Sequence, residues 1–526
     1  MGQGGHLSAT DWGVIVAYLV GIVWLGSRLG RGQRGARDYF LGGRRIPWWG
    51  VGLAIVATET SALTFIGVPA MAFGGDLAFI QIIFGYVIAR IALALFMVPA
   101  YFRGEIYSPY QLLREAFGLA GCRAAAALFL IAGTLAAGVR VYVTAIPVQL
   151  VLGLGEGGVV WAIFLFIGLS LIYTAIGGVK AVVWTDVAQF ALFVLGGLFT
   201  LCYIPALLDG GWGEAWSRAA AAGKLHWLNA RFSLSAPFNI WMGLLGGTFQ
   251  VMASHGADQL IVQRVLSCRN ARAGRRALIL SAVLILPLFL LFLLTGVMLW
   301  AYYQAHPGFP IPLPEARPGV GKNDYVFPIF ILTAMPAGLR GLLIVGILAA
   351  AMSSVSGALS ALASVWTMDL LSRPDAEGAG RRTVVRGRWA TLGGAAMLAL
   401  VALWTRRAES VLNAAFALNG LTSGALLGGL LLALWRLRLG RQAARPSPPG
   451  GRLSAWFRAW APKGSAPAVT GMALSFGGMV LLRALWQDRV FWPWYTLFGT
   501  GLTLAGALAA TGWTRAREKA SERPAS

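Results

Sequence analysis

The chain has 526 residues, of which 57% are hydrophobic and only 12% are charged, and its mean hydropathy is +0.69. Soluble domains carry about 25% charged residues, so the composition excludes an ordinary soluble protein and indicates a polytopic membrane protein. The formal net charge of +23 would suit a nucleic-acid partner, but the positions of the basic residues, given below, exclude that class. The three cysteines are too few and too widely spaced to indicate a disulfide framework or a metal motif.

Apolar runs long enough to cross the hydrocarbon core of a bilayer, which takes about 17–25 residues, recur along the whole chain. We predict about thirteen membrane-spanning helices and no separate soluble domain. The predicted spans are, in chain order, residues 11–29, 51–73, 76–100, 124–152, 158–177, 184–207, 239–265, 277–302, 338–366, 389–405, 409–435, 467–483 and 491–513.

The basic residues are distributed unequally between the connections on the two sides of the membrane. If the amino terminus lies outside the cell, 31 of the 43 Lys and Arg residues fall in inner connections and 9 in outer ones. This asymmetry is the positive-inside rule of membrane topology. The sequence therefore predicts a multi-pass protein of the cell (inner) membrane with a cytoplasmic carboxyl-terminal tail.

Two predicted spans contain helix breakers and ionisable residues where the bilayer is driest. The span 51–73 holds Glu59 among Thr58, Thr60 and Ser61, and the span 239–265 holds several glycines with His255 and Asp258. Ionisable groups inside a membrane are costly and usually functional, and discontinuous helices at corresponding positions of two halves indicate a transport site. The alternative for each span alone is a tilted helix that tolerates glycine.

Residues 341–370 form an apolar span that is rich in hydroxyl groups. Residues three and four apart share a helix face, so Ala350, Ser353 and Ser354 form one patch. Hydroxyls and freed carbonyls are hard oxygen ligands of the kind that suits Na⁺; the alternative is close helix packing through small residues. The span contains Ser353, Ser354, Ser356, Ser360 and Ser364, with Gly357 between them.

Several segments together resemble the sodium/solute symporter family, which holds the sodium–glucose, sodium–proline, sodium–iodide and sodium–monocarboxylate transporters. The resemblance covers roughly residues 10–515 and is carried by DYFLGGRRIPWW (38–49), ATETSALTFIGVPAMAF (57–73), GGVKAVVWTDVAQ (177–189), GADQLIVQRVL (256–266), AAAMSSVSGALSALASVWTMDL (349–370) and GLTSGALLG (420–428).

The resemblance implies an all-α, leucine-transporter-type fold with two inverted five-helix repeats in a single transporter domain. An odd number of helices in each half makes the halves run in opposite directions. The implied divisions are a leading helix at 11–29, a first repeat at 51–207, a second repeat at 239–435, two trailing helices within 467–513 and a tail at 514–526.

The resemblance also implies where Na⁺ binds. The family's primary sodium site corresponds here to the backbone oxygens of Ala57, Thr60 and Ala350 and the hydroxyls of Ser353 and Ser354. One Na⁺ is expected at this site, and it coincides with the hydroxyl patch found from the helix periodicity.

Some family members carry a second sodium site, which is built here from Asp186 and Ser356 with Ser353 adjoining. Gly357 stands where those members place another hydroxyl, so a second Na⁺ is possible rather than expected. The alternative for Asp186 is an interfacial helix cap, since Thr and Asp are good capping residues.

The expected substrate is a small solute bound beside the first break. The family's sugar-binding Tyr, Lys and Gln correspond to Ser254, Leu284 and Phe416 here, which would leave sugar hydroxyls unpaired. A small organic anion such as a monocarboxylate is the first expectation, with an amino acid or other polar solute second. The candidate substrate-binding residues are Glu59, Ser61, Thr64, Gln81 and Phe416.

Three questions stay open at this level. Arg140, inside the fourth span, either meets a substrate carboxylate or pairs with Glu59 or Asp258. A proton-coupled transporter on the same fold would use Glu59, Asp186 or His255 as its proton carrier. Catalysis is not expected, because the sequence has no HExxH, nucleophile elbow, P-loop or Cys/His cluster.

Overall fold

A computed structural model of the chain describes residues 7–29, 33, 35–60, 62–151, 158–308, 313, 315–317, 320–321, 323–371, 380–405, 411–443, 464–486 and 489–521. These residues are almost entirely helical. The first part contains α1 (Ala9–Leu29), α2 (Ala36–Leu41), α3 (Trp48–Glu59), α4 (Ala62–Gly74), α5 (Ile80–Phe96), α6 (Val98–Tyr101), α7 (Tyr110–Val151), α8 (Gly158–Ala206) and α9 (Gly211–Ala221).

The second part begins with a discontinuous span made of a π-helical turn (Met242–Gly247), α10 (Thr248–Met252), a second π-helical turn (Ala253–Ala257) and α11 (Gln259–Leu266). A short antiparallel pair, β1 (Glu315–Arg317) and β2 (Val320–Gly321), lies in a connection. The remaining helices are α12 (Ala271–Ala305), α13 (Val326–Ala334), α14 (Leu339–Val365, continued by a π-helical turn to Leu370), α15 (Gly380–Thr405), α16 (Val411–Ala443), α17 (Ala466–Trp486) and α18 (Trp494–Ser521).

Glycine separates two predicted spans that otherwise run together in α8. Gly178 has φ +54°, a left-handed conformation that favours glycine, and a Cβ there would strike the carbonyl oxygen of Tyr39. The kink divides α8 between the predicted spans 158–177 and 184–207. Gly118, with φ +79°, kinks α7 near its start in the same way.

By length and composition, eight helices in the described part of the chain could each cross a membrane, and the bent pair α3–α4 makes a ninth. Trp161, Phe164, Leu195, Leu198 and Trp404 expose large apolar surfaces on them, as expected for side chains that face lipid. The all-helical prediction is confirmed, whereas the number of thirteen crossings stays a prediction.

The helices pack so that the broken spans lie in the interior. α12 packs against α3, α4 and α5, while α14 packs against α3, α7, α8 and α11. The discontinuous span 242–266 approaches α5 backbone to backbone, because a Cβ at Gly85 would overlap the carbonyl oxygen of Gly243 and lie 2.7 Å from the amide nitrogen of Thr248. Small residues allow such close approach inside a membrane.

We expect Gly85→Ala to destabilise the protein because its methyl group meets backbone atoms that cannot rotate away. Overpacking of this kind costs about 1–3 kcal/mol or more. Gly168→Ala is the matched control, since Gly168 lies inside α8 with nothing within 4 Å of the added Cβ. Thermal unfolding in detergent should show a lower midpoint for Gly85→Ala than for Gly168→Ala; equal midpoints would contradict the close approach.

Candidate cation and substrate site

The first broken span separates α3 from α4 at Thr60. Thr60 keeps a hydrogen bond from its amide to the Val56 carbonyl (2.9 Å), but its ψ of +79° ends the helix, and the two helical parts of the span differ in direction by 56°. The carbonyl oxygens of a final helical turn lose their helical partners. The break therefore frees main-chain oxygens in the turn that holds Ala57 and Thr60, two of the predicted Na⁺ ligands.

The hydroxyl of Thr60 is an unsatisfied polar group at the same place. Thr60 is fully buried, and its Oγ1 has no hydrogen-bond partner among the residues that the structure describes. An unsatisfied buried hydroxyl costs about 1–3 kcal/mol. A cation bound at the break would offset that cost, so the donor set fits Na⁺.

The serine-rich helix α14 packs against α3, and its hydroxyls are buried in the interior. Ser353 and Ser356 are fully buried and Ser354 is nearly so. The Ser354 hydroxyl lies 3.1 Å from the carbonyl oxygen of Ala350, so two predicted ligands are neighbours on one turn. The Ser356 hydroxyl instead donates to the Ser353 carbonyl oxygen at 3.1 Å.

Asp186 joins the break to the serine-rich helix. It is fully buried in α8; its Oδ1 accepts the Ser353 hydroxyl proton at 2.6 Å, and its Oδ2 lies 3.3 Å from the Thr58 hydroxyl. Because helix continues on both sides of Asp186, the interpretation as a helix cap is wrong. One carboxylate thus contacts the end of α3 and the middle of α14.

The bond from Ser353 to Asp186 also decides which way the hydroxyl faces. A serine hydroxyl has one proton and two lone pairs. Since the proton is directed at Asp186, the lone pairs of Ser353 Oγ remain available to a cation. Asp186 therefore fixes the orientation of the Ser353 hydroxyl.

A second buried charge cluster lies beside the break. Glu59, the last residue of α3, forms an ion pair with Arg90 of α5, whose side chain is fully buried. The same Arg90 nitrogen lies 3.1 Å from His255 Nε2, and His255 Nδ1 lies 2.9 Å from the Ser254 hydroxyl. The Glu59 carboxylate lies 3.5 Å from the same His255 nitrogen, so Glu59, Arg90 and His255 form one buried cluster.

The second broken span carries Asp258 at its non-helical turn. Asp258 has extended backbone angles, and its Oδ1 accepts the Leu260 amide at 2.8 Å, which caps α11. It borders a small cavity of about 20 Å³ between α7, the broken span and α16, to which Gly133, Ala253 and Thr422 also contribute. The cavity therefore lies at the second break, where Asp258, Thr422 and Ser423 give it a polar part.

Arg140 interacts electrostatically with Asp258, whereas Glu59 is already paired with Arg90. Of the two internal partners considered for Arg140, the structure favours Asp258.

The predicted substrate residues fall into three groups. Thr64 lies just past the break, with its hydroxyl 3.5 Å from the Glu59 carbonyl oxygen. Gln81 is fully buried; its amide donates to the carbonyls of Ala78 and Phe238 and accepts the Asn229 amide, so it ties α5 to a connecting loop. Ser61 and the Phe416 side chain lie outside the described residues.

Two charged residues of this region were not predicted as site residues. Arg264 lies at the end of the predicted span 239–265 and is fully buried in α11. Arg90 lies inside the predicted span 76–100. An isolated charge inside an apolar span is costly unless an opposite charge compensates it. That rule would have paired Arg90 with Glu59.

Two discontinuous helices that meet a hydroxyl-bearing helix around a buried carboxylate define a secondary transporter. A solved substrate-bound, outward-open structure of a Na⁺-coupled sialic acid symporter is similar with a TM-score of 0.81 and 25% identity, covering 96% of this chain and 98% of the other. A nucleobase-cation-symport-1 family transporter shares the fold at 13% identity, with a TM-score of 0.56 over 90% and 93% of the chains. The predicted leucine-transporter-type fold is confirmed.

The family model of the sodium:solute symporter family matches residues 39–445, and the chain belongs to that family. The human sodium/iodide cotransporter is 28% identical over 442 residues, which are 82% of this chain and 67% of the relative. A sodium/sialic acid symporter of Proteus mirabilis is 30% identical over 69% of this chain and 71% of its own length. Human sodium-coupled monocarboxylate transporter 1 is 26% identical over 80% and 67%.

Proposed function

We propose that this sodium-coupled symporter imports a small organic anion, such as a monocarboxylate, by alternating access. The proposed Na⁺ ligands are the backbone oxygens of Ala57, Thr60 and Ala350 with the hydroxyls of Ser353 and Ser354. The observation that supports this site best is the Asp186 carboxylate, which contacts Thr58 at the end of α3 and Ser353 on α14 together.

Na⁺ at this junction would couple binding to conformation. A ligand shifts a conformational equilibrium only through its different affinities for the two states. An ion that bridges α3 and α14 binds the state in which they are close and loses ligands when they separate. The ion thereby favours the state in which the break, and the substrate pocket beside it, is complete.

Substrate would bind beside the break, near Glu59, Thr64, Arg90 and the proposed residues Ser61 and Phe416. Gln81 would support this pocket through its loop contacts. The cation that an anion would meet at the break is the buried guanidinium of Arg90, which is paired with Glu59. The named substrates of three relatives, iodide, sialic acid and monocarboxylate, are anions as well.

The membrane arrangement completes the proposal. The amino terminus lies outside and the tail 514–526 inside; the leading helix 11–29 precedes repeats at 51–207 and 239–435, and two trailing helices occupy 467–513.

With one Na⁺, a potential of ~100 mV contributes ~2.3 kcal/mol per charge and a tenfold gradient ~1.4 kcal/mol. A neutral solute would then be concentrated roughly 500-fold, but a monovalent anion only about tenfold.

Uptake by the purified protein in proteoliposomes tests the substrate class. We expect radiolabelled pyruvate or lactate to accumulate with an inward Na⁺ gradient and not when choline replaces Na⁺. Iodide, alanine and glucose serve as the comparison panel under the same gradient. Na⁺-driven uptake of alanine with no uptake of any monocarboxylate would contradict the organic-anion assignment and favour the amino-acid alternative.

A proton-coupled transporter remains the second candidate because Glu59 and His255 lie within 3.5 Å of each other in the buried cluster. Its carrier would be this pair or Asp186. An inward proton gradient without Na⁺ separates the two functions in the same vesicles. Uptake driven by the proton gradient alone would contradict sodium coupling; uptake that requires Na⁺ at every external pH supports it.

A further inference from the structure

The buried charge of Asp186 is compensated by an arginine of this chain. Arg264 of α11 donates to Asp186 Oδ2 from Nε at 3.1 Å and from Nη2 at 2.8 Å. Both side chains are shielded from solvent, with 1% and 0% of their surfaces exposed. The third guanidinium nitrogen, Nη1, donates to the Leu260 carbonyl oxygen at 2.5 Å. The guanidinium is therefore held by Asp186 Oδ2 through two nitrogens and by the Leu260 carbonyl oxygen through the third.

The guanidinium occupies space that is free because residue 357 of α14 is glycine. A Cβ at Gly357 would lie 2.8 Å from Arg264 Nη2 and 3.5 Å from its Cζ. Any larger residue at position 357 would therefore compete with the guanidinium for space. Gly357 is four residues after Ser353, so it shares the face of α14 whose hydroxyl donates to Asp186.

The same carboxylate has little left to offer a free cation. Its Oδ1 accepts from Ser353, and its Oδ2 accepts two N–H groups of Arg264 and lies beside Thr58. A monovalent ion here would lie next to a full positive charge in a water-poor interior, where repulsion between like charges is poorly screened. The space and the charge that an ion would need are both taken by Arg264.

We propose that the Arg264 guanidinium is a tethered cation that permanently fills the position at Asp186 where a second Na⁺ would bind. This assignment rests on the proposed function only for the first ion, at Ala57, Thr60, Ala350, Ser353 and Ser354. Asp186 then serves the first ion indirectly, by orienting Ser353, and Ser356 ligates no sodium ion. The transporter carries one Na⁺ in each cycle.

Binding of ²²Na⁺ to the purified full-length protein tests the assignment through the change in the number of ions. We expect the wild type to bind one Na⁺ and Arg264→Gln to bind two, because the substitution leaves Asp186 without its cation. Arg264→Lys is the matched control, since it keeps a positive charge at the same position, and it should still bind one. Adding Asp186→Asn to Arg264→Gln should return the number to one.

The difference in the number of bound Na⁺ ions between Arg264→Gln and the wild type tests this inference. The number of Na⁺ ions that the wild type binds tests the proposed function. No increment in a folded variant would overturn the tethered cation. A wild type that binds no Na⁺ would contradict the primary site instead, and Arg264→Gln would still be expected to gain one ion. Should Arg264→Gln be too unstable to purify without Na⁺, it is purified in NaCl and its thermal midpoint is compared in NaCl and in choline chloride; we expect a larger response to Na⁺ than in the wild type, and an equal response would overturn the tethered cation.

Discussion

Arg90→Ala should lower the free energy of unfolding by about 3–5 kcal/mol. The substitution removes one partner of a buried ion pair and leaves the Glu59 carboxylate without compensation, which is the costly case for buried charges. It also removes the donor to His255 Nε2. The measurement is chemical unfolding of the purified protein in detergent micelles, with the variant and the wild type at the same Na⁺ concentration.

Two variants show whether this loss arises from the buried charge. Arg37→Ala breaks an ion pair with Glu105 whose side chains are 56% and 64% exposed, and exposed pairs contribute only about 0–1 kcal/mol. Arg90→Met combined with Glu59→Gln removes both buried charges and should recover much of the loss. If Arg90→Ala lowers the free energy of unfolding no more than Arg37→Ala does, the buried ion pair does not form as described.

Ser353→Ala and Ser354→Ala should each raise the Na⁺ concentration needed for half-maximal binding about tenfold, and together about 100-fold. A hydrogen bond or ligand contact from a hydroxyl to a charged group contributes about 1.5–3 kcal/mol, and 1.4 kcal/mol is a factor of ten in affinity. The measurement is ²²Na⁺ binding to the purified protein over a range of Na⁺ concentrations.

Ser360→Ala is the matched control for these variants. Ser360 lies on the same helix and is buried, but its hydroxyl donates to Gln263 Oε1 at 3.1 Å, away from the break. We expect its Na⁺ affinity to stay near that of the wild type. If Ser360→Ala weakens Na⁺ binding as much as the double variant does, the effect comes from general disturbance of α14 and the ligand assignment is wrong.

Much of the architecture could be predicted from the sequence because a bilayer imposes simple requirements. Lipid satisfies no backbone hydrogen bonds, so long apolar runs must be helices. The break at Thr60 was predictable because Glu59, the neighbouring hydroxyls and Pro69 all disfavour an unbroken apolar helix. The hydroxyl patch on α14 followed from helix periodicity alone, since Ser353 and Ser354 lie within one turn of Ala350.

The charge network around the site could not be predicted, because pairing between distant segments is a property of the tertiary fold. Arg264 stands five residues before a cluster of basic loop residues that begins at Arg269, so its sequence neighbourhood resembles an inner connection. Its burial follows from α11 turning inward against α14 beside Gly357. The role of Gly357 depends on this tertiary contact, because the Arg264 guanidinium occupies the space that a side chain at position 357 would need.

The most direct test of the central claim is the thermal unfolding midpoint of the purified protein in NaCl compared with choline chloride at equal ionic strength. Binding to the folded state raises stability by about 2.7 kcal/mol at 100 times the dissociation constant. We predict that Na⁺ raises the midpoint of the wild type and has little effect on Ser353→Ala combined with Ser354→Ala. Equal midpoints for the wild type in the two salts, or an equal response of the double variant, would contradict a Na⁺ site between α3 and α14.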